Sequence, residues 1–132
     1  MTGRNVNILG AQYHIASTRE ALDDRLKDCD GFTDWTNKRI GIRDEFELEG
    51  NLYDMQVYVR KVVRHEIIHA FLEESGLGEC SDWARNEEVI DWIARMGEKL
   101  CKAWLEAGAL ELQSMGYRVL GNTDGEEAAS DG

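Results

Sequence analysis

Residues 51–76 read NLYDMQVYVRKVVRHEIIHAFLEESG, and this stretch decides the fold. Proline is absent from all 132 residues and glycine from 52–74, so a single helix can run unbroken across the segment. Asn51 is placed to cap its start with Asp54 in the first turn, and Gly76 stands where a left-handed residue would end it. Met55, Val59, Val62, Val63, Ile67 and Phe71 recur at helical spacing and predict an apolar stripe.

Working outward, residues 77–80 read as a loop, and Ser81 as the cap of a second long helix over about 82–107. Trp83, Val89, Ile90, Ile93, Leu100 and Trp104 give that helix an apolar face, with Gly97 a tolerated weak point, and its tryptophans, Trp92 included, are expected in the core. Residues 109–120 suit a short helix and a short strand, and 121–132 an acidic disordered tail. On the amino-terminal side, residues 6–15 read as one strand kinked at Gly10. Ser17 and Glu20 form a capping box for a short amphipathic helix carrying Leu22, Leu26 and Cys29. Residues 32–36 and 39–44 flank Asn37-Lys38 as a hairpin would, with Ile40 and Ile42 alternating against Arg39, Gly41 and Arg43. An acidic patch, Asp44, Glu45, Glu47 and Glu49, then runs to Gly50. The expectation is an α+β domain over 1–120, a small antiparallel or mixed sheet packed on two long helices.

Fifteen Lys and Arg against 26 Asp and Glu leave a net charge of −11, which argues against nucleic acid and anionic membranes as partners. Cys29, Cys80 and Cys101 are odd in number and widely spaced, as free thiols of a reducing cytoplasm would be. The first twenty residues contain no apolar core of a signal peptide, and no apolar run approaches membrane-spanning length, so a cytoplasmic protein is expected.

Within the decisive stretch lies His65-Glu66-Ile67-Ile68-His69. Four residues advance a helix by about 400°, so the two imidazoles stand one turn apart on one face and can reach a single ion. Zinc accepts neutral imidazole nitrogen, and Glu66, beside the first ligand, can take a proton from bound water. A third ligand is then required. His14 could supply it from the amino-terminal strand, but Asn86-Glu87-Glu88-Val89-Ile90-Asp91 is the better source, because a short connection brings the second helix beside the first. Glu87 is the expected ligand, and Asp91, one turn on, is placed to accept the outer N–H of a ligating histidine and fix its tautomer. Arg60, Lys61 and Arg64 read as a solvated helix face.

His65-Glu66-x-x-His69 followed by Asn86-Glu87-x-x-x-Asp91 resembles the gluzincin metallopeptidases, and most of all the minimal ImmA/IrrE-type domains and short zinc peptidases of phages and prophages. The resemblance covers residues 60–107 well and the first half loosely. It implies a zincin-like domain and a zinc-dependent peptidase acting on a peptide or protein, with His65, His69 and Glu87 as metal ligands, Glu66 as base and acid, and Asp91 behind the ligands. It also implies that a strand before the motif helix, taken as 39–44, borders the cleft and pairs with an extended peptide. No metzincin extension follows His69, and candidates for an oxyanion-stabilising group are Tyr13, His14 and Tyr117. The competing reading is a catalytically silent metal-binding module that engages a host or phage protein. Cys80 as a fourth protein ligand would mark that case.

Overall fold

The computed structural model describes residues 3–44 and 55–118. The patch from Glu45 to Gly50, the Asn51 cap, Asp54 and the 121–132 tail lie outside the described residues. The class is α+β, as expected: a four-stranded mixed sheet with helices. Contacts divide the chain into residues 1–97 and residues 98–132, with one helix running through the boundary.

The sheet comprises β1 (Arg4–Ile8), β2 (Ala11–Thr18), β3 (Gly31–Asp34) and β4 (Arg39–Arg43), in the order β1-β2-β4-β3. Residues 6–15 are therefore two antiparallel strands and not one kinked strand. Leu9 and Gly10 both take positive φ, 52° and 93°, the two-residue turn whose twist matches a hairpin, and Asn7 Oδ1 accepts the Gly10 N–H at 3.0 Å. β3 and β4 form the expected antiparallel pair. Its turn is organised by Asp34, whose Oδ1 accepts the amides of Thr36 and Asn37, both at 3.2 Å.

The helix expected after the Ser17 capping box does not form. Ser17 and Thr18 remain in β2, paired in parallel with Ile42 and Arg43, so the chain is still extended where the helix would begin. Only a 3₁₀ turn follows, Asp24–Leu26, capped by Asp23 and burying Leu26, while Leu22 is exposed. A run this short has little helical stability of its own, and the sheet ladder wins.

Helix α1 (Met55–Glu74) lies across the sheet, and Gly76 beyond it has the anticipated left-handed φ of 84°. Its stripe differs from the expected one. Val62 and Ala70 are buried against Ile8, Tyr13, Ile15, Ile40 and Ile42, with Val59, Val63 and Ile67 at the margin, whereas Phe71 is exposed. A second flank of α1, Ile68 and Leu72, packs with Ala84 and Ile90, so the helix is sandwiched and has two apolar sides.

Residues 77–80, expected as a loop, form one helical turn, α2 (Leu77–Cys80). The second long helix starts later than expected. Trp83–Arg85 is a 3₁₀ turn, the chain extends at Asn86, and α3 runs Glu87–Glu106. Asn86, not Ser81, is its cap, accepting the Val89 N–H on Oδ1 at 3.0 Å. Within 1–97, Ile90 and Ala94 are buried, but Trp83 and Trp92 are exposed, against the expectation of core tryptophans. In 98–132, Trp104 is exposed as well, and the described residues after α3 contain only the 3₁₀ turn Gln113–Met115 and no strand.

Candidate metal centre

Helical geometry sets the first two side chains. His65 and His69 project from one face of α1 with ring centroids 5.0 Å apart and planes inclined at 55°. The Asn86 cap sets the third, because it makes Glu87 the first residue of α3, where a carboxylate also favours the helix dipole. Glu87 Oε1 lies 2.9 Å from His65 Nε2, and Oε2 lies 3.2 Å from His69 Nε2. One ligand atom from each residue falls within 4.8 Å of the other two.

The other nitrogen of His65 identifies what this arrangement suits. Nδ1 stands 3.1 Å from Asp91 Oδ1, which also accepts Lys61 Nζ at 2.9 Å, while Oδ2 accepts Arg95 at 3.1 Å. Burial pushes the Asp91 carboxyl up, but its bonds from Lys61, His65 and Arg95 outweigh this and hold it at about 2. An ionised Asp91 can only accept, so the neutral His65 ring carries its proton on Nδ1 and turns the Nε2 lone pair toward Glu87. Lone pairs of imidazole and carboxylate then face each other, and a proton or a cation must lie between them. Two ligands about 2.0–2.1 Å from one tetrahedral zinc stand roughly 3.3 Å apart, close to the separations found here. The donor set fits zinc.

Glu66 faces the same cleft, a space of about 320 Å³ that the two histidines and Glu87 also line. It is only 7% exposed. Thr33 Oγ1 lies 2.7 Å from Glu66 Oε1 and 2.9 Å from the Glu66 carbonyl oxygen, tying β3 to α1 at this residue. Burial raises the Glu66 carboxyl above its usual range, against the Thr33 bond and the nearby histidines, which lower it.

The strand that borders the cleft is β3, through Gly31 and Thr33, with Trp35 just beyond it. The expected strand, 39–44, is β4, which lies between β2 and β3 and has no free edge to offer. His14 is not drawn in, and its Nδ1 stands 3.0 Å from Asn5 Oδ1. Tyr13 is buried and donates its hydroxyl to Glu74 at 2.7 Å. Tyr117 is exposed within 98–132. All three cysteines are free thiols, and Cys80 Sγ is 3.4 Å from the Gly76 carbonyl, outside the ligand cluster.

Sequence reasoning missed Thr33 and Glu73 in the cleft. Glu73 alone carried a signal, four residues after His69 on the same helical face. It also misjudged the basic cluster. Lys61 grips Asp91, and Arg64 Nε donates to the Ala94 carbonyl at 2.7 Å, so the two brace α1 against α3. Compared with family models, curated proteins and solved structures, the chain matches none.

Proposed function

We propose that this chain is a zinc-dependent peptidase in which His65, His69 and Glu87 hold the metal and Glu66 moves the proton. One observation carries the reading: the Nε2 atoms of both histidines converge on the Glu87 carboxylate, the His65 lone pair turned toward it, in the same cleft as a buried carboxyl. A zinc ion held there supplies a Lewis acid for a carbonyl oxygen and lowers the pKa of bound water to about 7. Glu66 accepts a proton from the attacking water and returns it to the leaving nitrogen, a task that suits a carboxyl whose pKa burial raises. Thr33 fixes the orientation of Glu66, and Asp91 keeps His65 in the tautomer whose Nε2 is free to ligate. β3, the edge strand beside the cleft among the described residues, can pair with an extended peptide.

Metal analysis of the purified chain tests the site, and a peptide library tests the activity. Wild type is expected to carry one zinc and cleave. His65→Ala should lose both, and Glu66→Gln should keep the metal and lose turnover. Cleavage by zinc-loaded Glu66→Gln at the wild-type rate would sink the proposed chemistry. Zinc held through His65 without cleavage by wild type would instead favour a metal-binding module that engages a partner protein.

A further inference from the structure

Two adjacent carboxylates at the end of α1 have different surroundings. Glu74 is bonded by Lys38 Nζ at 2.5 Å and by the Tyr13 hydroxyl. Glu73 lines the cleft, and among the described residues, which include all 15 Lys and Arg of the chain, none forms an ion pair with it. Its position is nonetheless set, because Gly78 of α2 comes so close that a Cβ there would run into the Glu73 carboxylate. Trp35, 43% exposed, forms part of the same cleft, and Lys38 Nζ, already bonded to Glu74, stands 5.8 Å from its ring centroid.

With a divalent cation on His65, His69 and Glu87, the charges of the metal, Glu87 and Glu66 cancel, and Glu73 is the remaining carboxylate of a cleft that Trp35 also lines. A carboxylate and an indole ring together suit an ammonium or guanidinium group, which gains an ion pair and a cation–π contact. The geometry points to Glu73 and Trp35 as a specificity subsite for a lysine or arginine side chain of the bound peptide. This rests on the reading of the cleft as a peptide site and names the class of peptide it selects. Substrates rich in basic residues would also be drawn in by the net charge of −11.

The test uses the full-length, zinc-loaded Glu66→Gln protein, so that nothing turns over, and two capped pentapeptides of alanine with lysine or norleucine at the centre. Calorimetry should find the lysine peptide bound about tenfold more tightly. Adding Glu73→Gln should bring the ratio near one with zinc content unchanged, and adding Trp35→Leu should lower it in part. Adding Glu111→Gln, which removes the same charge from an exposed position, should leave it unaltered. Equal affinity for the two peptides, binding of neither, or an equal loss with Glu111→Gln would overturn the subsite. The two proposals fail separately: a lysine preference without cleavage by wild type removes the peptidase and keeps the subsite, and cleavage without preference does the reverse.

Discussion

Thr33 shows how much one hydroxyl can organise. It touches both the carboxyl and the main-chain oxygen of Glu66, so β3 and α1 meet at the residue proposed to move the proton. Thr33→Val keeps the shape and removes both bonds, leaving a buried carboxyl without its donor, at a cost of about 1–3 kcal/mol. Urea unfolding should register that loss, with Thr33→Ser close to wild type and zinc content unchanged in both. A Thr33→Val protein as stable as wild type would show that the contact contributes nothing. The histidine pair was legible in the sequence because its geometry depends only on residues four apart in a helix. Thr33 was not, since 33 positions separate it from Glu66 and no local rule links a strand hydroxyl to a helix carboxylate.

Among the elements, β4 depends on Gly41 and α3 on Asn86. Gly41 pairs with Phe32, and a Cβ at 41 would run into the Phe32 ring, over which the Arg25 guanidinium lies 3.8 Å from the centroid. Gly41→Ala therefore forces the ring aside and should lower stability by about 1–3 kcal/mol, seen as a fall in the thermal midpoint. An unchanged midpoint would mean that the ring yields freely. Asn86→Ala removes the cap that makes Glu87 the first helical residue. About 1 kcal/mol of stability should go with it, together with weaker zinc binding, because fraying of this turn displaces Glu87, the proposed third ligand. Competition with a chromogenic chelator reads the second effect, and affinity equal to wild type would disconnect the cap from the site. Glycine at 41 was legible as a strand position between Ile40 and Ile42, but the break at Asn86 was hidden by an apolar pattern that continues through Trp83.

At the scale of the molecule, acid is the informative variable for the metal-free protein. The folded Asp91 carboxyl, at about 2, lies below the ordinary aspartate value of 3.8. A depressed folded pKa means that the unfolded chain takes up the proton first, so this contribution is complete above about pH 4 and is lost as pH falls toward 2. Asp91→Asn should be less stable than wild type at pH 5, and the gap should shrink to about a third by pH 2.5 in urea melts of the metal-free chain. Parallel pH profiles for the two proteins would show that the network around Asp91 does not couple to folding. Zinc at the proposed site should act in the opposite sense to acid: an ion that binds only the folded state stabilises it by RT ln(1 + c/Kd) at free concentration c. The midpoint should therefore climb with the logarithm of zinc concentration above Kd, and His65→Ala should abolish the rise.

By itself the sequence determined whatever depends on neighbours within about one helical turn. The two imidazoles share a face of α1, Gly76 ends the helix, a hairpin turns around Asn37-Lys38, and Glu87 and Asp91 stand one turn apart. Tertiary structure decided which of several locally acceptable outcomes was realised. The parallel pairing of β2 with β4 kept Ser17 and Thr18 extended, put β4 inside the sheet and left β3 as the strand beside the cleft. The sheet and Ile90 together chose which sides of α1 are buried, and left the tryptophans of the later segments exposed. Strand order and burial follow from contacts between residues far apart in the chain, and hydrophobic pattern alone carries no information about which distant surface arrives to cover it.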